Sequence, residues 1–477
     1  DGQGTWRYCK LRQECVDPFG DCIRDRHCYY FDRQDPGDRN YRRSAWNYRS
    51  GCKDCGGRSV SCISVQKLGG ACVKVESRLK LRRCRESGSV FDMEGMEMMR
   101  YRPDYYKEFT CIAGKCPITC CQEWKIAVDE ETSRKWKTMT PPETLRRHRT
   151  HLSDYTMKKE GGRVIRLEED HRCPFLADDK LCCLVSAYGD SVLSETCTVF
   201  PREMHSFAGH EEETLMPCCP AVVDLWNERK AIAFPEISWE TEGRQKELFL
   251  IRSKLLELLD DTSVSLAELL KEAFYILLEL EKQDALTESL IEDYFSKGSI
   301  AKLRDAIEDV PVDALDTMDE CNELLQDLAV NYRKEGLYRR YLDPVIKQAE
   351  TLSETYEEET MRDSLQQFAD TFAAYEPLMR KFLQNEIYSD LLVPDGSLGS
   401  MIVALQWIAM EYAVIRHAIF LSCDSSAIRY ETVRDYLVVI TRMTGYDEED
   451  IYEYLENSFE SLLWEWGYFA LIVGNAR

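Results

Sequence analysis

Long apolar runs are missing from this 477-residue sequence. The best candidate, Met401–Phe420, is interrupted by Gln406, Glu411, Arg416 and His417, and reads as a buried helix of a large bundle with no membrane role. Histidine is scarce, with seven residues in all. Among them His171 and His205 are near cysteines in sequence, which disfavours a mixed Cys/His zinc site. The chain also lacks a G-x-G-x-x-G after a strand, a phosphate-binding P-loop and a G-x-S-x-G nucleophile turn, so Rossmann-type donor binding, P-loop chemistry and serine hydrolysis are unsupported. No internal repeat is visible. Beyond residue 219 cysteine almost disappears, leaving Cys321 and Cys423, which read as buried structural thiols.

Charge is abundant but uneven. The net charge is −24, yet residues 1–92 carry 19 Lys+Arg against 12 Asp+Glu. The other 385 residues hold 42 basic and 73 acidic groups, a balance of −31. Such a body should repel nucleic acid and anionic membranes and suits a protein partner bearing basic side chains.

Residues 1–92 differ from the rest in kind. Methionine is absent until Met93, arginine far exceeds lysine, and no hydrophobic period persists. Cys52 and Cys55 form one C-x2-C without a matching second pair, which leaves a small zinc or disulfide module as one reading. The other is translated upstream sequence, because Met93, Met96, Met98 and Met99 bunch at the junction. Beyond it, a cysteine-rich metal-binding domain is expected over residues 93–232 and a helical domain over 233–477, a mainly α fold. Ser265–Lys282 is amphipathic and opens with a capping box of Ser265 and Glu268. Leu365–Leu392 is similar, with a kink or break at Pro377. Val393–Ser400 reads as a helix–helix connection, and Ser458–Gly474 as a closing helix.

Ten cysteines fall between residues 111 and 219, in three patches. Cys111, Cys116, Cys120 and Cys121 are spaced C-x4-C-x3-C-C; Cys173, Cys182, Cys183 and Cys197 follow; Cys218 and Cys219 close the set. A compact thiol block ahead of a nearly cysteine-free helical segment predicts metal or redox chemistry in a reducing, cytoplasmic setting. The thiols outnumber what one zinc requires, and a four-cysteine iron–sulfur cluster fits the composition better. Side chains of adjacent cysteines diverge, so one ligand is expected from each doublet. Pro117, Pro174 and Pro220 each follow a cysteine and hold it extended. The C-x3-C-x2-C spacing of radical enzymes is missing. Glu123, Glu195 and Glu203 lie near the patches and read as solvated carboxylates, so no catalytic residue is assigned.

The run F-x-C-x4-C-x3-C-C-x2-W-x-I over Phe109–Ile126 resembles the first signature of the flagellin lysine-N-methylase family. The segment from Cys173-Pro174-Phe175-Leu176 through Cys182 to Thr196-Cys197 and Phe200-Pro201-Arg202 is similar to that family too. So are Cys219-Pro220 and, more loosely, Lys381–Pro394. The resemblance covers residues 98–477. It implies methylation of flagellin lysines with S-adenosylmethionine and a 4Fe–4S cluster whose open iron position holds the donor's amino and carboxylate groups. It makes Cys111, Cys116, Cys120, Cys121, Cys173, Cys182, Cys197 and Cys219 the candidate ligands. Cys183 and Cys218 stand where the family pattern has single cysteines. A structural zinc- or iron-binding protein and a thiol redox sensor are the competing readings.

Overall fold

The computed structural model describes residues 99–145, 148–159, 162–237, 245–423, 427–445, 448–459 and 461–474. Both readings of residues 1–92 lie outside the described residues. Residues Phe91–Arg477 form one compact unit, and what is described of it is mainly helical.

Two small sheets open the described chain. Strand β1 (Met99–Tyr101) runs parallel to β6 (His210–Leu215), which pairs antiparallel with β5 (Arg202–Ser206). Strands β2 (Ala127–Val128), β4 (Gly162–Ile165) and β3 (Thr156–Lys159) form an antiparallel sheet in that order. Short helices α1 (Glu130–Trp136), α2 (Cys183–Tyr188) and α3 (Glu195–Val199) surround the second sheet. Together they enclose a small apolar core of Trp136, Tyr155, Ile165 and Phe175, on which Cys121, Cys182 and Cys197 also pack. The first sheet instead packs with the helices, contributing Phe207 and Leu215 to the main core.

Helix α4 (Pro220–Glu228) leads into the helical body. It comprises α5 (Lys246–Leu259), α6 (Leu266–Glu281), α7 (Glu288–Tyr294), α8 (Lys297–Glu308), α9 (Ala314–Glu335), α10 (Arg339–Glu354), α11 (Glu358–Phe372), α12 (Glu376–Ser389), α13 (Leu398–Ser422), α14 (Tyr430–Thr444), α15 (Glu448–Ser458) and α16 (Trp466–Val473). The capping box expected at Ser265 forms: its hydroxyl accepts from the Glu268 amide (3.2 Å), and the Glu268 carboxylate accepts from the Ser265 amide (3.3 Å). Pro377 marks a break. Helix α11 ends at Phe372, a 3-10 turn spans Ala373–Tyr375, and α12 starts with the proline in its first turn, where no amide hydrogen is needed. Val393–Ser400 holds the turn from α12 into α13.

Helix α13 is long and apolar enough to cross a membrane by length and composition, but 83% of its apolar window is buried inside the protein. One expectation shrinks. The closing helix occupies Trp466–Val473 only, because the buried Gln406 amide captures the backbone ahead of it. Gln406 accepts from the Trp464 amide (2.7 Å) and donates to the Leu462 carbonyl (3.0 Å), which holds that stretch out of a helix.

Helix α12 has no solvent face from Leu378 to Ser389, although it carries Arg380, Lys381, Gln384, Asn385 and Glu386. Two of its cations complete other helices. Lys381 donates to the Trp226 and Arg229 carbonyls (2.9 and 2.6 Å) at the end of α4; Arg380 donates to the carbonyls of Leu259, Asp261 and Val264 beyond α5. Both satisfy acceptors that a helix C-terminus leaves open, where positive charge is favoured.

The first sheet is locked to this body by a buried ion pair. Arg252 of α5 makes a two-pronged contact with Glu212 of β6 (2.7 and 2.8 Å) and donates to the Tyr388 carbonyl of α12 (2.9 Å). Both side chains are almost fully buried. Burial alone would raise the Glu212 carboxyl, but hydrogen bonds from His210 and Arg252 hold it below the usual range. Arg252→Met should therefore cost about 3–5 kcal/mol, since it strands a buried charge, while adding Glu212→Gln should recover most of that loss. Denaturant midpoints of the single and double variants check this. Because the folded carboxyl is depressed, its contribution should be full above the ordinary carboxylate range and fade as pH falls through the folded value.

Candidate active site

The first two thiol patches are joined by main chain. Gln122 bridges antiparallel to Arg172, the Cys173 amide donates to the Cys121 carbonyl (2.8 Å), and the Glu123 amide donates to the His171 carbonyl (2.8 Å). Leu176 bridges to Cys182, and the Cys183 amide donates to the Phe175 carbonyl (2.8 Å), folding the second patch back on itself. Lys180 at the tip of that loop reaches the Cys116 carbonyl (3.2 Å). Asp129 ties in the segment of Cys197. Its carboxylate accepts from the Thr132 amide at the start of α1 (2.8 Å) and from the Glu195 amide at the start of α3 (3.0 Å). Despite some desolvation, those amides hold Asp129 at about 2.

The third patch is brought in by Arg442 of α14. Its guanidinium is buried, lies over the Trp124 ring at 5.2 Å, and donates to the carbonyls of Cys218 (3.0 Å), Ile118 (2.9 Å) and Thr119 (3.2 Å). One side chain thus pins the loop before Cys120 to the loop before Cys219. Cys116 and Cys219, each followed by proline, have the extended backbone expected of them.

The result is a converging thiol set with Cys120 at its hub. Cys120 lies within electrostatic reach of Cys116, Cys121, Cys173, Cys182, Cys197 and Cys219. A hydrogen bond from Cys121, opposed by burial and aided by Arg442, lowers Cys120 to about 7; the same bond and burial push Cys121 up. Burial raises Cys173 as well, and raises Cys197 to about 11 and Cys219 to about 12. Thiols desolvated in this way stay protonated unless a positive centre takes them as thiolates. Cys111 is exposed and borders the set through Cys116 alone. Within the doublets, Cys182 lies within electrostatic reach of Cys120 and Cys219 within reach of Cys116 and Cys120, while Cys218 neighbours Arg442, Glu203 and Glu386.

Thiolates suit either a single zinc or an iron–sulfur cluster, and the two groups need different sulfur spacings. Among the described residues, no three thiols have their sulfurs all within 4.8 Å of one another. A single tetrahedral zinc, with Zn–S near 2.3 Å, needs sulfurs about 3.8 Å apart. A polynuclear cluster puts each thiolate on a different iron and so spaces them more widely.

On the far side of Cys218 lies a feature that sequence reasoning missed. Cys218 is within electrostatic reach of Glu203 and Glu386 as well as Arg442. Glu203 of β5 accepts from the Ser389 hydroxyl (3.0 Å), and the ligand atoms of Glu203, His205 and Asp390 lie within 4.8 Å of one another. Glu386 accepts from the Asn385 amide (3.0 Å), which also reaches the Leu215 carbonyl (3.2 Å), and Tyr105 donates to Asn385. Burial, then the neighbouring Glu411, raises Glu386 well above the carboxylate range. Burial, then Glu203 and Glu386, does the same for Asp390. Burial raises Glu411 of α13 to about 8. A proton-holding carboxylate set therefore abuts the thiol set, with the Cys218–Cys219 doublet between them.

The three carboxylates weighed from sequence separate. Glu203 belongs to this set. Glu123 accepts from the Tyr338 amide (2.8 Å) and anchors the start of α10, and Glu195 lies exposed on α3. The signal for the rest was present: Gln384-Asn385-Glu386 put consecutive polar groups on a helix that had to be buried among leucines.

Residues 252–472 match the family model described as FliB lysine N-methylase C-terminal domain. Over that span the chain is similar to the FliB lysine N-methylases. The matched region contains Glu386, Asp390, Glu411 and Arg442 and begins after the thiol patches. A lysine-N-methylase of Salmonella typhimurium is 28% identical over 161 residues, 33% of this chain and 40% of that protein. A lysine-N-methylase of Salmonella choleraesuis matches to the same extent. The flagellar biosynthetic protein FliU of Salmonella muenchen is 28% identical over 138 residues, 28% of this chain and 80% of that protein. The chain thus matches about 40% of the length of the Salmonella lysine-N-methylases. No solved structure matches.

If the thiol set holds a metal, Cys120→Ala or Cys173→Ala should strip iron and sulfide from anaerobically purified protein. Cys111→Ala and Cys183→Ala should leave both in place. Metal and sulfide analysis of the four variants checks the assignment.

Proposed function

We propose that this protein is a cytoplasmic protein-lysine N-methyltransferase acting on flagellin, using S-adenosylmethionine and a 4Fe–4S cluster. The observation that carries the reading is the juxtaposition of a converging thiol set with carboxyls of raised proton affinity, in a chain whose residues 252–472 match the FliB lysine N-methylase model. Three of Cys120, Cys173, Cys182, Cys197 and Cys219 would hold the cluster and leave one iron position for the donor, with the remaining thiols as neighbours. When bound, the donor supplies an electrophilic methyl group and the cluster an iron position that anchors the donor.

The remaining chemistry falls to the chain. A lysine amine cannot attack while protonated, and its ordinary pKa is near 10.4. A desolvated site next to carboxylates serves it twice. A member of the set that has released its proton holds the incoming ammonium, and removal from water weakens the amine's hold on its own proton. Glu386, Asp390 and Glu411 are shifted toward higher proton affinity, so the member that gives up its proton before the amine arrives becomes an acceptor closer in affinity to that amine. The proton would pass from Nζ to a deprotonated carboxyl oxygen, leaving the nitrogen lone pair free to form the N–C bond as the donor's S–CH3 bond breaks and its electron pair stays on sulfur. Ser389 and Asn385 fix the orientation of Glu203 and Glu386.

Two measurements test this. Flagellin co-expressed with the protein should gain methyl mass increments on lysines, and Glu386→Gln should reduce the rate by about 10²–10⁴-fold with the iron content unchanged. Full iron and sulfide loading with no increments would refute the methylation reading; stoichiometric zinc without sulfide would refute the cluster. Glu411→Gln should stabilise the fold. The Glu411 carboxyl is raised, so ionising it opposes folding increasingly as pH climbs from the unfolded carboxylate value toward about 8, and glutamine removes that load. Thermal midpoints measured across that window should diverge with rising pH.

A further inference from the structure

Against the acidic body, one face is basic. Between Arg134 and Arg166 the sequence holds ten Lys+Arg and three Asp+Glu. The structure opens a cleft of about 560 Å³ there, between the end of α1, the 3-10 turn Leu152–Tyr155, and strands β3 and β4. Lys137, Arg149, Arg163 and Arg166 line it, with the hydroxyls of Ser153 and Thr156.

These four cations make no ion pair with any described residue. Arg163 is held by the neutral Thr156 hydroxyl (2.9 Å), and the Arg149 guanidinium lies 5.5 Å over the Tyr155 ring. The one carboxylate in the lining, Asp154, is occupied by the His151 amide (2.9 Å). Positioned guanidinium groups with their charge left open, interleaved with hydroxyls, are a receptor for oxyanions.

We propose that this cleft docks an acidic stretch of the protein substrate, its carboxylates meeting Arg149, Arg163, Arg166 and Lys137. A long polyanion is disfavoured, since it would leave the basic face and run onto a body whose balance is −31. A few carboxylates on a folded or extended protein segment match the size of the cleft. Its position suits a docking role. Tyr155, beneath Arg149, packs on Phe175 at 5.2 Å, and Phe175 lies two residues from Cys173. The cleft and the thiol set thus share one aromatic layer, while the carboxylate set that would receive lysine is carried by β5, α12 and α13. A substrate with acidic residues near its target lysine would meet opposite charge at both places.

This proposal rests on the reading of a protein substrate, but its test uses binding alone. Fluorescence anisotropy of the full chain, without donor, is measured with a short labelled Glu/Gly peptide and with its Gln/Gly counterpart. The Glu peptide should bind, weaken steeply with salt, and lose about tenfold in affinity in Arg149→Gln/Arg166→Gln protein; the Gln peptide should not bind. Arg166→Gln alone, with its circular dichroism checked, should show part of the same loss and covers the case in which the double variant misfolds. Absent binding, or binding equal in wild type and variants, overturns the proposal. So does binding of inorganic phosphate at the cleft without binding of the peptide, which would make it a small-anion site, and so does a preference for single-stranded nucleic acid over the peptide. If peptide binding holds and flagellin is not methylated, the docking surface stands and the enzymatic reading falls.

Discussion

The Arg442 fork is the contact on which the rest of the site depends. The thiol patches are far apart in sequence, and the third reaches the first through carbonyls that a single guanidinium gathers. Five donors in a fixed plane let arginine serve several acceptors at once, which a lysine ammonium would do without the same geometric constraint. The buried cation does more than cross-link. It faces thiols that burial would otherwise keep protonated, and it lies among the lowering influences on Cys116, Cys120 and Cys218. The helical body therefore holds the small cysteine-bearing lobe in place and biases its electrostatics through the same atom group.

A second constraint follows from burying helix α12 on every side. Its polar residues have no water to face, so each must be matched inside the protein. Lys381 and Arg380 find the open ends of α4 and α5, and Gln384 finds Asp260 (2.8 Å). Glu386 and its neighbour Asp390, joined by Glu203 and Glu411, are matched only by neutral donors and by one another. Among the described residues these four carboxylates make no ion pair with a lysine or arginine. Such a concentration of like groups at low dielectric is unfavourable to the fold and persists where it serves chemistry.

Much of the scaffold was legible in the sequence because it rests on local rules. The Ser265 cap and the break at Pro377 are written in a few adjacent residues, and the burial of Met401–Phe420 in its composition. The closing helix was misjudged because a side chain 58 residues earlier in sequence, Gln406, claims its backbone. The thiol patches were equally legible, since cysteine is rare enough that clustering carries information. Which member of a doublet faces inward was not, because that depends on where the backbone bridges of Gln122–Arg172 and Leu176–Cys182 fall. Least legible was the carboxylate set, assembled from β5, α12 and α13. In a chain with 85 Asp+Glu, no single glutamate announces itself.

The split Cys218–Cys219 doublet connects these strands of the argument. Cys218 lies in a turn, and Cys219 has the extended backbone that Pro220 favours. Cys219 lies within electrostatic reach of Cys116 and Cys120, and Cys218 of Glu203 and Glu386. The thiol set and the carboxyl set thus meet across adjacent residues of main chain. Their spacing is then fixed by covalent geometry and by the Arg442 contact to the Cys218 carbonyl, with no mobile segment between them. On the proposed reading, methyl transfer to a desolvated amine would gain from that fixed separation, since small errors in approach are costly to the rate.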